Sequence, residues 1–357
     1  MIIREKEQFD NRIDALRGAS FLIVFIGHFS YENSNLQFLY NFAPFGVVLF
    51  FCLSGFLLGR VTLREYHLTH RINFRNFFLR RAFRILPLYF FYLLIVLAIS
   101  ELSQQRNSNY VISASEWSHL LTFTYNLLPD NHTNSSPLPA VTWSLSIEEQ
   151  IYIFFPFIAL LLARKKITTL SIILPTLMFG IFFVQINLFN STTASRLTPL
   201  YLIPVIIGLV CAEFENVVRW KNYRISVIII EFTFALGVIL TIMFSHSQSN
   251  ISYYLRVILM SCIFPLLLHL ISLTRMSAAL KAIAYLGRVS FGCYLYHWLV
   301  WNMFQSIDIG YSVGSGFTIF GWLLGLFVTL ALSVISYRFL EAPFLEIRRR
   351  YQAAPTS

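Results

Sequence analysis

Long apolar runs, separated by short charged or Asn- and Ser-rich segments, occupy most of the chain. A membrane-spanning helix needs about 20 apolar residues, and ten of the runs approach or reach that length. The predicted spans are residues 15–31, 42–59, 85–101, 143–163, 168–188, 199–215, 225–244, 253–273, 289–306 and 316–338. The stretch Trp117–Leu128 is too short to span, so we expect it to lie at the outer interface or to re-enter the protein. The pattern therefore predicts an all-α, polytopic membrane fold.

Composition supports the membrane class, because 57% of the 357 residues are hydrophobic and only 12% are charged. Soluble globular proteins carry about 25% charged residues. Spans of this number leave little extramembrane mass, so we expect a single membrane domain over residues 1–357 with short cytoplasmic tails at 1–13 and 345–357. The first apolar run follows a charged leader without a persuasive cleavage site, which favours a retained helix over a removed signal peptide.

The basic residues predict an orientation. If the N-terminus is cytoplasmic, all of the 27 Lys and Arg residues except Arg106, Arg196 and Arg256 fall on the cytoplasmic side. Both termini are then cytoplasmic, and the formal charge of +10 reflects topology and contact with membrane lipids rather than nucleic-acid binding. The four cysteines lie far apart within apolar runs and indicate packing rather than a metal site or a disulfide framework.

Charged residues within spans are functional candidates, since they are costly in lipid. Arg12, Asp14 and Arg17 precede His28 in the first predicted span, and Arg17 lies roughly 16 Å from His28 along the helix axis on nearly the same face. An anion held at the cytoplasmic mouth by Arg12 or Arg17 could extend its reactive end to the imidazole. Alternatively, the charged residues form an interfacial ion-pair cluster and His28 bonds a neighbouring helix.

Arg81 and Arg84 are three residues apart and share one face of a helix. Two adjacent guanidinium groups repel each other unless an anion lies between them, and paired N–H donors suit phosphate. An ordinary basic stop at the cytoplasmic interface explains the same spacing. The pair is therefore either a phosphate-binding site or a basic stop at the membrane interface.

Two further candidates lie in later spans. Glu148 and Glu149 open the fourth span, where one carboxylate is expected to face the protein and to orient or deprotonate a hydroxyl acceptor. Nothing in the local sequence distinguishes the two. His297, between Tyr296 and Trp298, suits a sugar-contacting surface and aromatic packing equally well.

The last predicted helix ends in Arg338-Phe-Leu-Glu341-Ala-Pro343-Phe344. We expect an ion pair between Arg338 and Glu341 and a stop at Pro343, because proline has no backbone N–H to continue a helix.

Taken in order, these residues resemble acyltransferase family 3, the integral-membrane enzymes that O-acetylate polysaccharides and related acceptors. The matching motifs are Asp14-Ala-Leu-Arg17-Gly18 with His28, Leu49–Phe56, Arg81-x-x-Arg84 with Pro87 and Tyr89, Trp143–Tyr152, the segment around His297, and Glu341-x-Pro343-Phe344. The chain departs from the family pattern at Leu299 and Ala342, where the family usually has a proline and a basic residue.

The resemblance implies a stand-alone form without a C-terminal esterase-like domain, in the inner membrane of a bacterium. An acyl group, taken here as acetyl, would pass from cytoplasmic acyl-CoA to a hydroxyl of an extracytoplasmic saccharide, such as a lipid-linked or surface polysaccharide. No metal is expected.

The hypothesis assigns a role to each candidate. His28 accepts the acyl group or acts as general base, and Glu148 aligns that histidine or the acceptor. The residues expected to bind CoA phosphates are Arg12, Arg17, Arg81 and Arg84, and those with an acceptor-side or structural role are Glu149, Tyr152 and His297. A transporter or flippase of a lipid-linked saccharide is the main alternative, since ten helices with buried charge also describe carriers. A non-catalytic membrane sensor or assembly subunit is the third.

Overall fold

The computed structural model describes residues 2–31, 33, 36–104, 111–128, 136–164, 198–217, 250–312 and 316–351. Nearly all of this part is helical. The helices are α1 (Ile2–Phe29), α2 (Gln37–Tyr40), α3 (Ala43–Thr69), α4 (Phe74–Gln104), α5 (Ala114–Leu121), a 3-10 turn (Tyr125–Leu127), α6 (Thr142–Ala163), α7 (Thr198–Val217), α8 (Asn250–Cys262), α9 (Phe264–Leu273), α10 (Ala278–Arg288), α11 (Ser290–Ser306), α12 (Ile319–Ser336), a π-helical turn (Tyr337–Glu341) and α13 (Ala342–Arg349). Two short antiparallel strands, β1 (Tyr311–Ser312) and β2 (Gly316–Phe317), pair Tyr311 with Phe317. The predicted all-α class is confirmed for this part of the chain.

Six helical stretches in the described part are long and apolar enough to cross a membrane. They are Phe38–Thr69, Phe74–Ser103, Thr142–Ala163, Thr198–Glu215, Tyr253–Leu273 and Ile319–Arg348. The protein is thus a multi-pass membrane protein. The segment predicted as too short to span contains only part of the eight-residue α5 and the 3-10 turn.

Four predicted spans do not correspond to any of these six stretches. The predicted spans 168–188 and 225–244 lie outside the described residues. The spans 15–31 and 289–306 are helical, in α1 and α11, but neither is among the six. The charged first half of α1 precedes its apolar second half, so the apolar stretch is short. The other helix, α11, has 17 residues and is about 25 Å long, whereas the hydrocarbon core is about 30 Å thick. The count of ten spans and the cytoplasmic termini therefore remain predictions.

Close approaches at glycine position α1 against α10. A Cβ atom on Gly287 would collide with the backbone of Asp14, and one on Gly18 would collide with the backbone of Ile283. Only glycine allows these two helices to touch along their backbones. The contact brings the charged half of α1 beside the start of α11.

Two apolar clusters form the interior. The larger one runs through α3, α4, α6 and α7 and includes Phe56, Tyr89 and Phe155. The smaller one packs Phe21 and Phe25 of α1 against residues of α11 and α12. Residues of both clusters line the cavity described below.

The end of α12 differs from expectation in two respects. The helix does not stop at Pro343. A π-helical turn, in which the Ala342 N–H donates to the Tyr337 carbonyl oxygen, leads directly into α13, and Pro343 lies in the first turn of α13. The expected ion pair is also absent from the described part: the buried Glu341 carboxylate has no hydrogen-bond partner, and Arg338 lies over the Phe339 ring at 5.9 Å. Residues 345–349, predicted as tail, are the second half of α13.

Candidate active site

A cavity of about 320 Å³ opens between α1, α3, α4, α6, α11 and α13. This volume is within the usual range for small-molecule sites. Its charged and polar wall residues are Asp14, Arg17, Ser54, Arg81, Arg84, Ser144, Glu148, Tyr152, Ser290, Tyr294 and Arg348. The rest of the wall is apolar. The cavity therefore combines four arginines with two carboxylates, several hydroxyls and an apolar surface.

Positive charge in the cavity wall is largely uncompensated. Among the described residues, Arg81, Arg84 and Arg348 have no carboxylate oxygen within 4.0 Å. The Arg81 guanidinium lies over the Tyr152 ring, 5.5 Å from its centroid, and its Nε is buried without a hydrogen-bond partner. Such groups are favourable in a membrane protein only when an anion or water satisfies them. This end of the cavity is suited to an anion.

Arg17 joins the same cavity from α1. Its guanidinium donates a hydrogen bond to Ser290 Oγ at 3.0 Å and lies 3.6 Å from Asp14, which also lies 3.6 Å from Arg288. The close packing of α1 on α10 sets up these contacts. Three of the four arginines predicted to bind phosphate thus lie around one cavity.

Arg12, the fourth, lies elsewhere. Its Nη1 donates to the Ser272 carbonyl oxygen at 2.6 Å, and it lines a second pocket of about 250 Å³ with Arg275 and Lys281. Because Arg12 and Arg17 are five residues apart, they point to different sides of a helix with 3.6 residues per turn.

Glu148 faces the cavity within a compact hydrogen-bonded group. Its Oε1 accepts a hydrogen bond from Ser54 Oγ at 2.6 Å and another from the Tyr152 hydroxyl, and these two hydroxyls are 2.8 Å apart. Glu148 and Tyr152 share a face of α6 because they are four residues apart. The neighbouring Glu149 is not in the cavity wall, and its Oε1 is buried without a hydrogen-bond partner.

Tyr294 connects the cavity with a second polar group. Its hydroxyl shares a hydrogen bond of 2.7 Å with Ser144, and its ring packs edge-on against Phe50. The centroid of the same ring is 5.6 Å from that of His297. Tyr294 thus lies between the cavity and the histidine pair and contacts both.

His28 and His297 form a hydrogen-bonded pair. His28 Nδ1 lies 2.9 Å from His297 Nε2, and the rings are parallel within 2°. The Nδ1 atom of the fully buried His297 lies 2.6 Å from the Tyr294 carbonyl oxygen and 3.2 Å from that of Cys293. Trp298 packs edge-on against His28 at 5.0 Å.

These contacts define the tautomers of a neutral pair. A carbonyl oxygen only accepts hydrogen bonds, so His297 Nδ1 carries a proton and its Nε2 has a lone pair. His28 Nδ1 must then donate to that lone pair. The remaining ring nitrogen of His28, Nε2, has a free lone pair, the state required of a base or nucleophile.

The predicted site residues therefore fall into separate groups. His28 and His297 lie together, and Arg17, Arg81, Arg84, Glu148 and Tyr152 line the cavity. Glu148 forms its hydrogen bonds with Ser54 and Tyr152, not with His28. No group of three or more His, Cys, Asp or Glu residues that could hold a metal ion occurs in the part of the chain that the structure describes.

Five polar or charged wall residues were missed by sequence reasoning. They are Ser54, Ser144, Ser290, Tyr294 and Arg348. The first four lie within or next to motifs already noted, and only their interhelical contacts reveal them. Arg348 gave no signal, because its run of three arginines was fully explained by charge at a cytoplasmic end.

Comparison with known proteins gives a consistent result. A family model described as "Acyltransferase domain" matches residues 10–338. The Staphylococcus aureus (strain COL) protein named "Putative O-acetyltransferase SACOL0978" is 27% identical over 375 residues, covering 95% of this chain and 58% of that protein. "O-acetyltransferase OatA" of S. aureus (strain NCTC 8325 / PS 47) is 27% identical over 354 residues, covering 93% of this chain and 56% of OatA. The chain thus spans less than two thirds of these relatives. No solved structure matches it.

Proposed function

Since this chain belongs to the acyltransferase family whose model covers residues 10–338, we propose that it is a membrane O-acetyltransferase. It transfers an acetyl group from cytoplasmic acetyl-CoA to a hydroxyl of an extracytoplasmic saccharide, lipid-linked or polymeric. The observation that carries the proposal is a cavity with arginines that have no carboxylate partner, whose wall residue Tyr294 packs on His297, which in turn is hydrogen-bonded to His28.

The donor half of the proposal uses the cationic end of the cavity. Arg17, Arg81 and Arg84 bind CoA phosphates, because guanidinium forks pair with phosphate oxygens. Among the described residues, Arg81 and Arg84 have no carboxylate oxygen within 4.0 Å, whereas Arg17 contacts Asp14. The apolar wall, which includes Phe50 and Leu57, suits the pantetheine arm. The thioester then points toward Tyr294 and the histidine pair.

The chemical step uses His28 Nε2. In direct transfer this nitrogen removes the acceptor hydroxyl proton while the oxygen attacks the thioester carbonyl, the C–S bond breaks, and the proton passes to the leaving thiolate. In the two-step route Nε2 itself attacks the carbonyl and the C–S bond breaks to release the thiolate. The acceptor oxygen then attacks the acetyl carbonyl, the bond to Nε2 breaks, and the hydroxyl proton passes by way of the freed Nε2 to the thiolate. In both routes His297 holds His28 in the required tautomer.

Glu148 acts as a positioning residue on the donor side. Its carboxylate accepts hydrogen bonds from Ser54 and Tyr152 in the cavity wall, and the Tyr152 ring in turn supports Arg81. This network favours alignment of the donor over contact with His28. The acceptor approaches from the side of α11 that carries Trp298.

Transfer of label from acetyl-CoA to saccharide tests the proposal. Membranes containing the wild-type protein should transfer label, and His28→Ala at equal abundance should lower the rate at least about 100-fold. His67→Gln, which changes an exposed histidine, is the matched control and should retain the wild-type rate. Full-rate transfer by His28→Ala would remove His28 from the chemistry. Failure of the wild-type protein to bind CoA would instead favour a carrier of lipid-linked saccharide.

A single-turnover experiment separates the two routes. Purified protein is mixed with labelled acetyl-CoA in the absence of acceptor. Label trapped on His28 supports the two-step route, and label that stays on CoA supports direct transfer.

A further inference from the structure

A fourth arginine enters the cavity from a part of the chain that the family match does not reach. The family model ends at residue 338, whereas Arg348 in the second half of α13 lines the cavity wall with Arg17, Arg81 and Arg84. The π-helical turn before α13 extends the α12 helix into this position. Residues that the sequence pattern assigned to a tail thus contribute to the site.

Contacts with α4 hold Arg348 in place. Arg80 Nη1 donates to the Tyr351 carbonyl oxygen at 2.8 Å, and the Phe83 ring stacks on both Phe344 and Tyr351. Phe344 and Tyr351 lie one turn before and one turn after Arg348, on the same face of the chain. Since Arg80 and Phe83 immediately adjoin Arg81 and Arg84, the same stretch of α4 carries Arg81 and Arg84 and holds the helix of Arg348.

The charge of Arg348 has no counterpart within the described protein. It makes no salt bridge or hydrogen bond among the described residues, and its Nε is buried without a partner, as is that of Arg81. The two carboxylates of the wall are engaged elsewhere: Asp14 with Arg17 and Arg288, and Glu148 with two hydroxyls. Several cations around one small cavity repel each other unless a ligand supplies more than one negative group.

We propose that Arg348 binds a phosphate of the CoA donor and that α13 forms one wall of the donor site. The inference rests on the proposed function. Arg81, Arg84 and Arg348 line one cavity, and α13 packs on the stretch of α4 that carries Arg81 and Arg84. A donor with both a diphosphate and a separate phosphate supplies enough negative charge for three guanidinium groups, whereas a singly charged acyl donor does not.

The test compares CoA binding and donor KM for three purified variants in lipid nanodiscs. Arg348→Ala should weaken CoA binding and raise the donor KM by about tenfold to a hundredfold, the effect of losing a hydrogen-bonded charge pair, and should leave kcat at saturating donor near the wild-type value. Arg348→Lys keeps the charge without the fork and should show a smaller loss. Arg350→Ala removes an exposed charge from the end of the same helix and should bind CoA like the wild type.

The outcomes separate this inference from the proposed function. If Arg348→Ala and Arg348→Lys both bind CoA as tightly as the wild type, the inference is wrong, and loss of binding in Arg81→Ala, Arg84→Ala would still support the donor site. Equal loss in Arg348→Ala and Arg350→Ala would reduce the effect to general charge and overturn the specific contact. A wild-type protein that does not bind CoA would overturn both. If the Tm of Arg348→Ala without ligand shows that this variant does not fold, CoA binding by Arg348→Lys decides: weaker binding than the wild type supports the inference, and equal binding overturns it.

Binding of 3′-dephospho-CoA identifies the phosphate involved. If the defect of Arg348→Ala disappears with this analogue, Arg348 contacts the 3′-phosphate. If the defect remains, it contacts the diphosphate. Either result supports the assignment of Arg348 to the donor site.

Discussion

His28 Nδ1 lies 2.9 Å from His297 Nε2, although the two residues are 269 positions apart in the chain. His297 is itself anchored by the carbonyl oxygen of Tyr294, so the direction of each hydrogen bond in the pair is determined. In many hydrolytic enzymes a carboxylate accepts a hydrogen bond from the catalytic base and fixes its orientation. Here His297 takes the place of that carboxylate and His28 takes the place of the base. It leaves His28 Nε2 available for chemistry.

Replacement of His297 tests this orienting role. His297→Phe should lower kcat about 10- to 100-fold, because the Nδ1–H of His28 loses its acceptor and the ring can adopt the other tautomer or turn. His297→Gln, which keeps an acceptor oxygen within reach, should restore part of the rate. The measurement is kcat with saturating acetyl-CoA, and donor KM should stay near the wild-type value in both variants. A full wild-type rate in His297→Phe would contradict the orienting role.

Adjacent glutamates should respond differently to the same change. Glu148→Gln alters the acceptor of two hydroxyl hydrogen bonds in the cavity wall. The donor KM should therefore rise and kcat should fall, so that kcat/KM decreases about tenfold. Glu149 lies outside the cavity wall and its buried Oε1 has no hydrogen-bond partner, so Glu149→Gln should leave activity within about twofold of wild type. Steady-state kinetics of both variants in the same lipid gives the comparison. A larger defect in Glu149→Gln would reverse the assignment.

The effect of an arginine substitution on the donor KM should depend on the position of the side chain and not on its charge alone. Arg17→Ala and the double variant Arg81→Ala, Arg84→Ala should raise the donor KM by about tenfold or more, because each removes a guanidinium from the cavity. Arg12→Ala should have little effect on the donor KM, since Arg12 lines a different pocket. Arg75→Ala, an exposed position on α4, controls for net charge. Equal effects of Arg12→Ala and Arg17→Ala would show that the cavity does not define the donor site.

A buried ion pair beside the site should be important for stability. Arg80 and Glu65 are 3.2 Å apart with 4% and 8% of their side chains exposed, and Glu65 also accepts a hydrogen bond from the Asn73 backbone. Glu65→Ala leaves the Arg80 charge buried without its partner and should lower the free energy of unfolding by about 3–5 kcal/mol. Thermal unfolding in detergent measures the change. The exposed Glu346→Ala is the control, and an unchanged Tm in Glu65→Ala would show that solvent reaches the pair.

The sequence by itself determined the class of the protein and most of its helices. Apolar runs of about 20 residues have no stable alternative to a helix in lipid, because every backbone N–H and C=O must be bonded within the segment. The same periodicity placed Arg81 and Arg84 on one face, and the motifs from Asp14 to Phe344 indicated the family. The eight predicted spans that fall within described residues are helical over most of their length, although span 316–338 begins in β2 and span 253–273 is divided between α8 and α9.

Only the tertiary structure decided which faces meet. Helical periodicity assigns a residue to a side of its own helix, but the neighbour on that side depends on how backbones approach, as at Gly18 and Gly287. For this reason helical periodicity alone could not predict that His28 pairs with His297, or that Glu148 and not Glu149 faces the cavity. Arg348 was hidden for a related reason: a π-helical turn carries the helix past a proline that local rules read as its end.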